Sequence, residues 1–281
     1  MKKIKIVADS SSDVLSFDAV SFASVPLKII VGERRFSDDA SLNLTDMINY
    51  LKQYKGKSAT SCPNPDDWIS AFGDAEEIYC ITITSGLSGS YNSACRAKEI
   101  YEAKNSANRV CVIDSLSTGP EMVLIMEKLA ELILAGKSFD EVSAEIMEYK
   151  KTTGLLFVLE SMQNLANNGR VSKIAAKVAG IMNIRVVGKA SDMGTLEPLD
   201  KPRGKKMTID KVIERLAQFG YSGGRIHIAH CFNPDSANDL ISAIKAKFPS
   251  AENITLGICR GLCSFYAESG GLLIGFEKSA K

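Results

Sequence analysis

The chain has 281 residues, 45% of them apolar and 24% charged, which is the composition of an ordinary globular protein and excludes fibrous, disulfide-stapled and disordered classes. A formal net charge of +1 gives no basic field for nucleic acid and no acidic excess. At about 150 residues per domain the length predicts two domains, and no apolar run comes near the roughly 20 residues that a helix needs to cross a membrane.

The opening lysines Lys2, Lys3 and Lys5 are followed by only three apolar residues before Asp9, too few for the core of an export signal. Residues 3–8 read as a first strand that ends in the polar cluster 9–13. Residues 25–31 and 34–36 read as extended segments around a Gly32-Glu33 turn, and 43–54 as a helix with Leu44, Met47, Ile48 and Leu51 on one face. The segment 59–65 (ATSCPNP) is too rich in proline to be regular. Buried strands are predicted at 78–84 and 110–113, each leading through a loop of small residues into a helix. The helix after the second has the clearest periodicity, with Met122, Ile125, Met126, Leu129, Leu132 and Ile133 on one face. Gly136 closes it, and Ser138 with Glu141 makes a capping box for the next helix.

A second block opens near Thr153 with a strand at 155–159. A short helix ending at Asn168-Gly169 follows, then a helix at 173–179 and extended pieces at 183–187 and 195–199. The basic stretch 200–206 breaks the pattern, after which strand, helix and strand are read at 225–229, 234–248 and 253–258, with a last strand at 270–276. Alternation of strands and helices predicts an α/β fold with a parallel sheet, divided near residue 152 into segments 1–152 and 153–281.

In open α/β sheets, ligands bind beyond the carboxyl ends of the strands. The loops predicted there, 9–13, 82–91 and 114–119, are rich in hydroxyls and glycine. Each hydroxyl suits a helix cap, and the set together suits a seat for an anion. Gly86-Leu87-Ser88-Gly89-Ser90 fails the G-x-S-x-G pattern of a nucleophile elbow. The two histidines, His227 and His230, fall on opposite faces of one strand, which argues against both a triad and a two-histidine metal site. Neither a Walker loop nor a G-x-G-x-x-G element occurs. The seven cysteines are odd in number and lack zinc spacing, so reduced thiols in a cytoplasmic protein are expected. Lys201, Arg203, Lys205 and Lys206 form either a solvated loop or a phosphate contact, and Arg170 either a helix-end cap or a cation beside the cleft.

Several segments resemble the DegV family, a group of bacterial fatty-acid-binding proteins. Residues 6–13 (IVADSSSD) are similar to its opening strand and Asp-Ser loop, and Val25-Pro26-Leu27 with Gly32 and Asp38 to its V-P-L segment. Thr60-Ser61-Cys62-Pro63 resembles T-S-Q-P, with Cys62 in place of the usual glutamine. Residues 84–94 (TSGLSGSYNSA) resemble the S-S-x-L-S-G-[TS]-Y-x-S-A signature, 112–115 (VIDS) a later strand end, and 168–172 (NGRVS) the N-G-R-I-S motif. Residues 201–206 resemble the basic segment of the family that precedes a helix.

The resemblance implies two α/β domains, a parallel-sheet N-terminal one and a C-terminal one, with a long-chain fatty acid between them and no cofactor or metal. It places the carboxylate against Thr60, Ser61, Ser85, Ser88 and the backbone of Gly89. Asp9, Ser10, Asp114, Arg170, Arg203 and Tyr266 are expected near the head group or facing a partner. Tyr266 stands where the family carries a histidine. Some members present the lipid to a separate fatty acid kinase, so a non-enzymatic carrier is the leading expectation. The alternatives are an enzyme on an acyl or phosphoryl substrate using Asp9, Asp114 or Arg170, and a regulatory protein that docks a partner through residues 201–206.

Overall fold

The computed structural model describes residues 2–172, 183–251 and 253–279. The helix expected over 173–179 lies outside them. The first large sheet is parallel, in the order β2 (Phe22–Val25), β1 (Ile4–Asp9), β6 (Glu77–Thr82) and β7 (Arg109–Asp114). Buried on both faces, its strands alternate between two cores. Ile6, Ala8, Tyr79 and Ile81 pack on α4 (Pro120–Leu134) and α5 (Phe139–Tyr149), while Val7, Ile78 and Cys80 pack on α2 (Pro65–Phe72) and α3 (Ser90–Lys104).

A small antiparallel sheet follows β2. It consists of β4 (Arg34–Ser37), β3 (Lys28–Val31) and β5 (Ser58–Ser61), covered by α1 (Leu44–Gln53). The extended run expected over 25–31 is thus broken at Pro26-Leu27, because β2 joins one sheet and β3 another. The segment expected to be irregular is regular at both ends. Residues 58–61 pair with β3, a partner far off in sequence, and Pro65 occupies the first turn of α2, where its missing N–H costs nothing. Asn64 and Asp67 complete a capping box there, as Ser138 and Glu141 do for α5.

The second large sheet has the order β10 (Leu196–Asp200), β9 (Val186–Ala190), β8 (Thr153–Leu159), β13 (Leu272–Glu277), β11 (Ile226–His230) and β12 (Ile254–Ile258). Its pairs are antiparallel except for β11 with β12. Leu156, Val158, Ile226 and Ile274 face outward onto α7 (Lys205–Gln218) and α8 (Pro234–Lys247). Leu155, Phe157, Leu159 and Leu273 face the first half of the chain, together with α6 (Gln163–Asn167) and α9 (Gly261–Ala267). Its two edges differ. β10 carries Pro198, exposed Glu197 and a register shift, whereas β12 pairs without interruption and exposes Leu256 and Ile258.

α4 wedges between the two large sheets at one end. Its start lies so close to β13 that a Cβ on Gly275 would come within 2.5 Å of Glu121 N, so only glycine fits there. Buried Glu121 accepts a 2.7 Å hydrogen bond from Thr153 Oγ1 at the start of β8. At the other end the sheets part, and the space between them is the cavity described next.

Candidate functional site

Between the two large sheets lies a cavity of about 810 Å³, counting its open side. Strand alternation builds its apolar wall. Odd-numbered Leu155, Phe157 and Leu159 of β8 point in, Leu273 and Leu196 join them, and Leu27, Ile83, Leu87 and Leu116 close it from the first half. The α9 helix supplies Leu262, Cys263, Tyr266 and Ala267, which recur at the three- and four-residue spacing of one helical face.

Polar lining is sparse, and one part of it clusters around Tyr266. Thr60 Oγ1 and Tyr266 OH are 2.7 Å apart. The Arg170 guanidinium sits 5.9 Å from the centre of the Tyr266 ring, and its Nε donates to Leu87 O at 3.2 Å. Ser88, the next residue, lines the same cavity and accepts from Ser90 N through its Oγ at 3.3 Å. Burial raises the Tyr266 phenol above its ordinary value, so near neutral pH it is an uncharged hydrogen-bond donor.

Both long helices of the first half start at this cavity, α3 just after Ser88 and α4 just after Thr118, and neither has a side-chain cap. Such helix starts favour a negative group. A turn of the second sheet covers the Gly86 loop. Thr84 Oγ1 donates to Gly194 O at 2.8 Å, and a Cβ on Gly86 would lie 2.7 Å from Met193 O.

Of the residues singled out in sequence, Thr60, Ser88, Arg170 and Tyr266 line the cavity together. Ser61 and Ser85 are exposed and are not part of its lining. In β5, Ser61 alternates with Thr60 and so faces the other way. Gly89 borders Cys62, whose Sγ would be 3.3 Å from a Cβ at that position, so the two motif loops touch.

Asp9 is fully buried and serves the scaffold. Its Oδ2 accepts from Ile83 N at 2.9 Å and Ser90 Oγ at 2.6 Å, its Oδ1 accepts from Ser11, and desolvation raises its pKa. Ser10 Oγ accepts from Leu27 N at 3.0 Å. Asp114 Oδ1 ties the loops after β6 and β7 by accepting from Ser85 N and Leu116 N at 3.1 and 3.0 Å. Arg203 is exposed and outside the cavity lining. The histidines are elsewhere as well: His227 contacts Glu127 and Thr255, and His230 accepts from Asn233 N. Among the described residues no cluster of three His, Cys, Asp or Glu side chains could hold a metal ion, and no helix is long and apolar enough to cross a membrane.

A family model described as "Uncharacterised protein, DegV family" matches residues 3–277. The chain belongs to the DegV family. A DegV domain-containing protein of Streptococcus pneumoniae (strain ATCC BAA-255 / R6) is 46% identical over 277 residues, which cover 97% of this chain and 98% of that one. Among solved structures, a DegV family protein from Eubacterium eligens loaded with heptadecanoic acid is similar, with a TM-score of 0.96, 40% identity and coverage of 98% and 100% of the two chains. The Fatty Acid Kinase (Fak) B3 protein of Streptococcus pneumoniae, loaded with linoleic acid, also gives 0.96, with 45% identity and coverage of 99% and 100%.

The DegV signature segments thus converge in space: T-S-C-P supplies Thr60, L-S-G-S supplies Ser88 and N-G-R-V-S supplies Arg170, all on one cavity. In α9 the family resemblance singles out Tyr266 alone and marks neither the helix nor its other cavity residues. The helix is only seven residues long, too short for the spacing of its cavity residues to stand out as a periodic pattern.

Proposed function

We propose that this chain binds one long-chain fatty acid in the cavity between its two large sheets. The tail lies among the inward leucines and Phe157, and the carboxylate meets Thr60, Ser88, the Gly89 backbone and Tyr266, with Arg170 beside them. The observation that carries this reading is the make-up of the cavity, a largely apolar chamber in which the hydroxyls of Thr60 and Tyr266 meet beside the Arg170 guanidinium. Two relatives at 40% and 45% identity were crystallised with heptadecanoic and linoleic acids, which supports it.

The energetics fit. A tail of ~15 methylenes at about 0.8 kcal/mol each gives a gross ~12 kcal/mol, set against an association cost of roughly 4–15 kcal/mol, so the tail is the main source of affinity. Donors at the head spare the carboxylate an unpaired burial, so they set orientation more than affinity. Such a carrier needs neither nucleophile nor metal. Ser61 and Ser85, both exposed, stand outside the head-group seat in this reading.

We further propose that the bound carboxylate is offered to a separate ATP-using kinase in the cytoplasm, where the seven thiols stay reduced. A neutral phenol at Tyr266 orients the carboxylate without adding charge, so phosphoryl transfer relies on groups of the kinase. The two structural units divide at residue 152 in this proposal, just ahead of β8.

Native mass spectrometry of the purified protein, followed by organic extraction, tests the reading. One fatty acid per chain is the expected result. A ligand-free mass that stays ligand-free after incubation with palmitate and oleate would overturn it.

A further inference from the structure

α9 brings four side chains to the cavity, yet its own start is held entirely from the other half of the molecule. A helix leaves its first N–H groups without intrahelical partners, and here no local side chain caps them. Instead Asp13 Oδ1 accepts from Arg260 N at 2.7 Å, and Asp38 Oδ1 and Oδ2 accept from Gly261 N and Leu262 N at 2.8 Å each. The fit leaves no slack, since a Cβ on Gly261 would lie 2.6 Å from Asp38 Oδ1. Arg260 adds a 2.8 Å bond from Nη2 to Asp39 O, and Cys263 Sγ reaches Ser11 O at 3.3 Å.

This arrangement is costly. Asp38 is fully buried, Asp13 Oδ2 is buried without a hydrogen-bond partner, and Asp13 holds a φ of +61° that a non-glycine residue seldom adopts. Strained, buried acids persist where the surrounding structure needs them in place. A serine or asparagine at position 260 could cap the helix locally, but it would not fix the helix against β3 and the first loop.

We propose that Asp13 and Asp38 are positioning residues for the ligand carboxylate: by clamping the start of α9 they set the Tyr266 hydroxyl against Thr60. This rests on the fatty-acid reading given above. The lever is long enough to matter. From residue 260 to residue 266 the helix rises about 9 Å, so a 10° tilt at its start moves Tyr266 by about 1.5 Å, which separates a 2.7 Å pair.

The test uses delipidated full-length protein as wild type, Asp38→Asn, Tyr266→Phe and the double variant, with dissociation constants measured for palmitate and for 1-hexadecanol. Asp38→Asn keeps the side-chain volume but puts an N–H donor against a helix N–H. It is expected to weaken palmitate about ten-fold and hexadecanol less than about two-fold, and to add little in the Tyr266→Phe background. If Asp38→Asn fails to fold, Asp13→Gly replaces it; glycine suits the positive φ, and the same pattern is expected at about three-fold. Equal losses for both ligands, or losses that add fully in the double variant, would overturn the positioning role alone. Wild type that binds neither ligand would overturn the fatty-acid reading and this proposal with it.

Discussion

Thr60 and Tyr266 are 206 positions apart in the chain, and their hydroxyls meet at 2.7 Å across the cavity. The pair joins the small sheet to α9, so it belongs to the closure of the molecule as much as to its ligand. Thr60→Val removes the hydroxyl at constant shape and leaves the half-buried phenol without that partner. A loss of about 1 kcal/mol in stability and a several-fold loss in palmitate affinity are expected. Denaturant titration and ligand displacement check the two effects separately.

The serines of the motif loops divide by exposure. Ser88→Ala is expected to reduce palmitate affinity by about ten-fold or more, the worth of one hydrogen bond to a charged group. Ser61→Ala and Ser85→Ala change exposed side chains outside the lining and are expected to stay within about two-fold. Equal effects at all three positions, in the same binding assay, would contradict this geometry.

Much of the fold was legible in sequence because its signals are local. The face of α4 from Met122 to Ile133, the capping box at Ser138 and Glu141, and the strand at β8 each depend on neighbours within a few turns. What was not legible depends on distant partners. β5 is a strand because β3 lies beside it, and that pairing also decides that Thr60 faces inward while Ser61 does not. α2 did leave a readable mark, since Asn64, Pro65 and Asp67 form a standard helix start, but the prolines around it pointed to a loop. α9 left no local start signal: its cap comes from Asp13 and Asp38, more than 200 positions away.

Asp13 also makes a prediction about pH. Burial pushes its carboxyl up to about 8, opposed by the Arg260 N–H and reinforced by Asp38, so the folded protein holds a proton that the unfolded chain releases near pH 4. The group therefore contributes full stability below about pH 4 and loses it progressively as the pH rises to about 8, by up to about 1.4 kcal/mol per pH unit. Asp13→Asn, neutral throughout, is expected to flatten that slope in urea titrations between pH 5 and 8.5. An unchanged slope would show that Asp13 is not the group responsible.

Gly194 seats the turn between β9 and β10 on the loop that carries Ser88. Its φ is +70°, and a Cβ there would fall 1.9 Å from Thr84 Oγ1. Gly194→Ala is expected to cost about 1–3 kcal/mol and to lift the turn, so ligand should leave several-fold faster. Stopped-flow transfer of a fluorescent fatty acid to vesicles measures the rate.

The unlike edges of the second large sheet limit how the chain can associate. Adding a strand from another molecule requires a row of open backbone groups; β12 offers one, while proline, charge and the broken register of β10 block the other. Growth by head-to-tail stacking needs two open edges per molecule, and among the described residues that sheet has one. Strand addition through it would therefore terminate at a closed pair, with no second open edge on that sheet among the described residues.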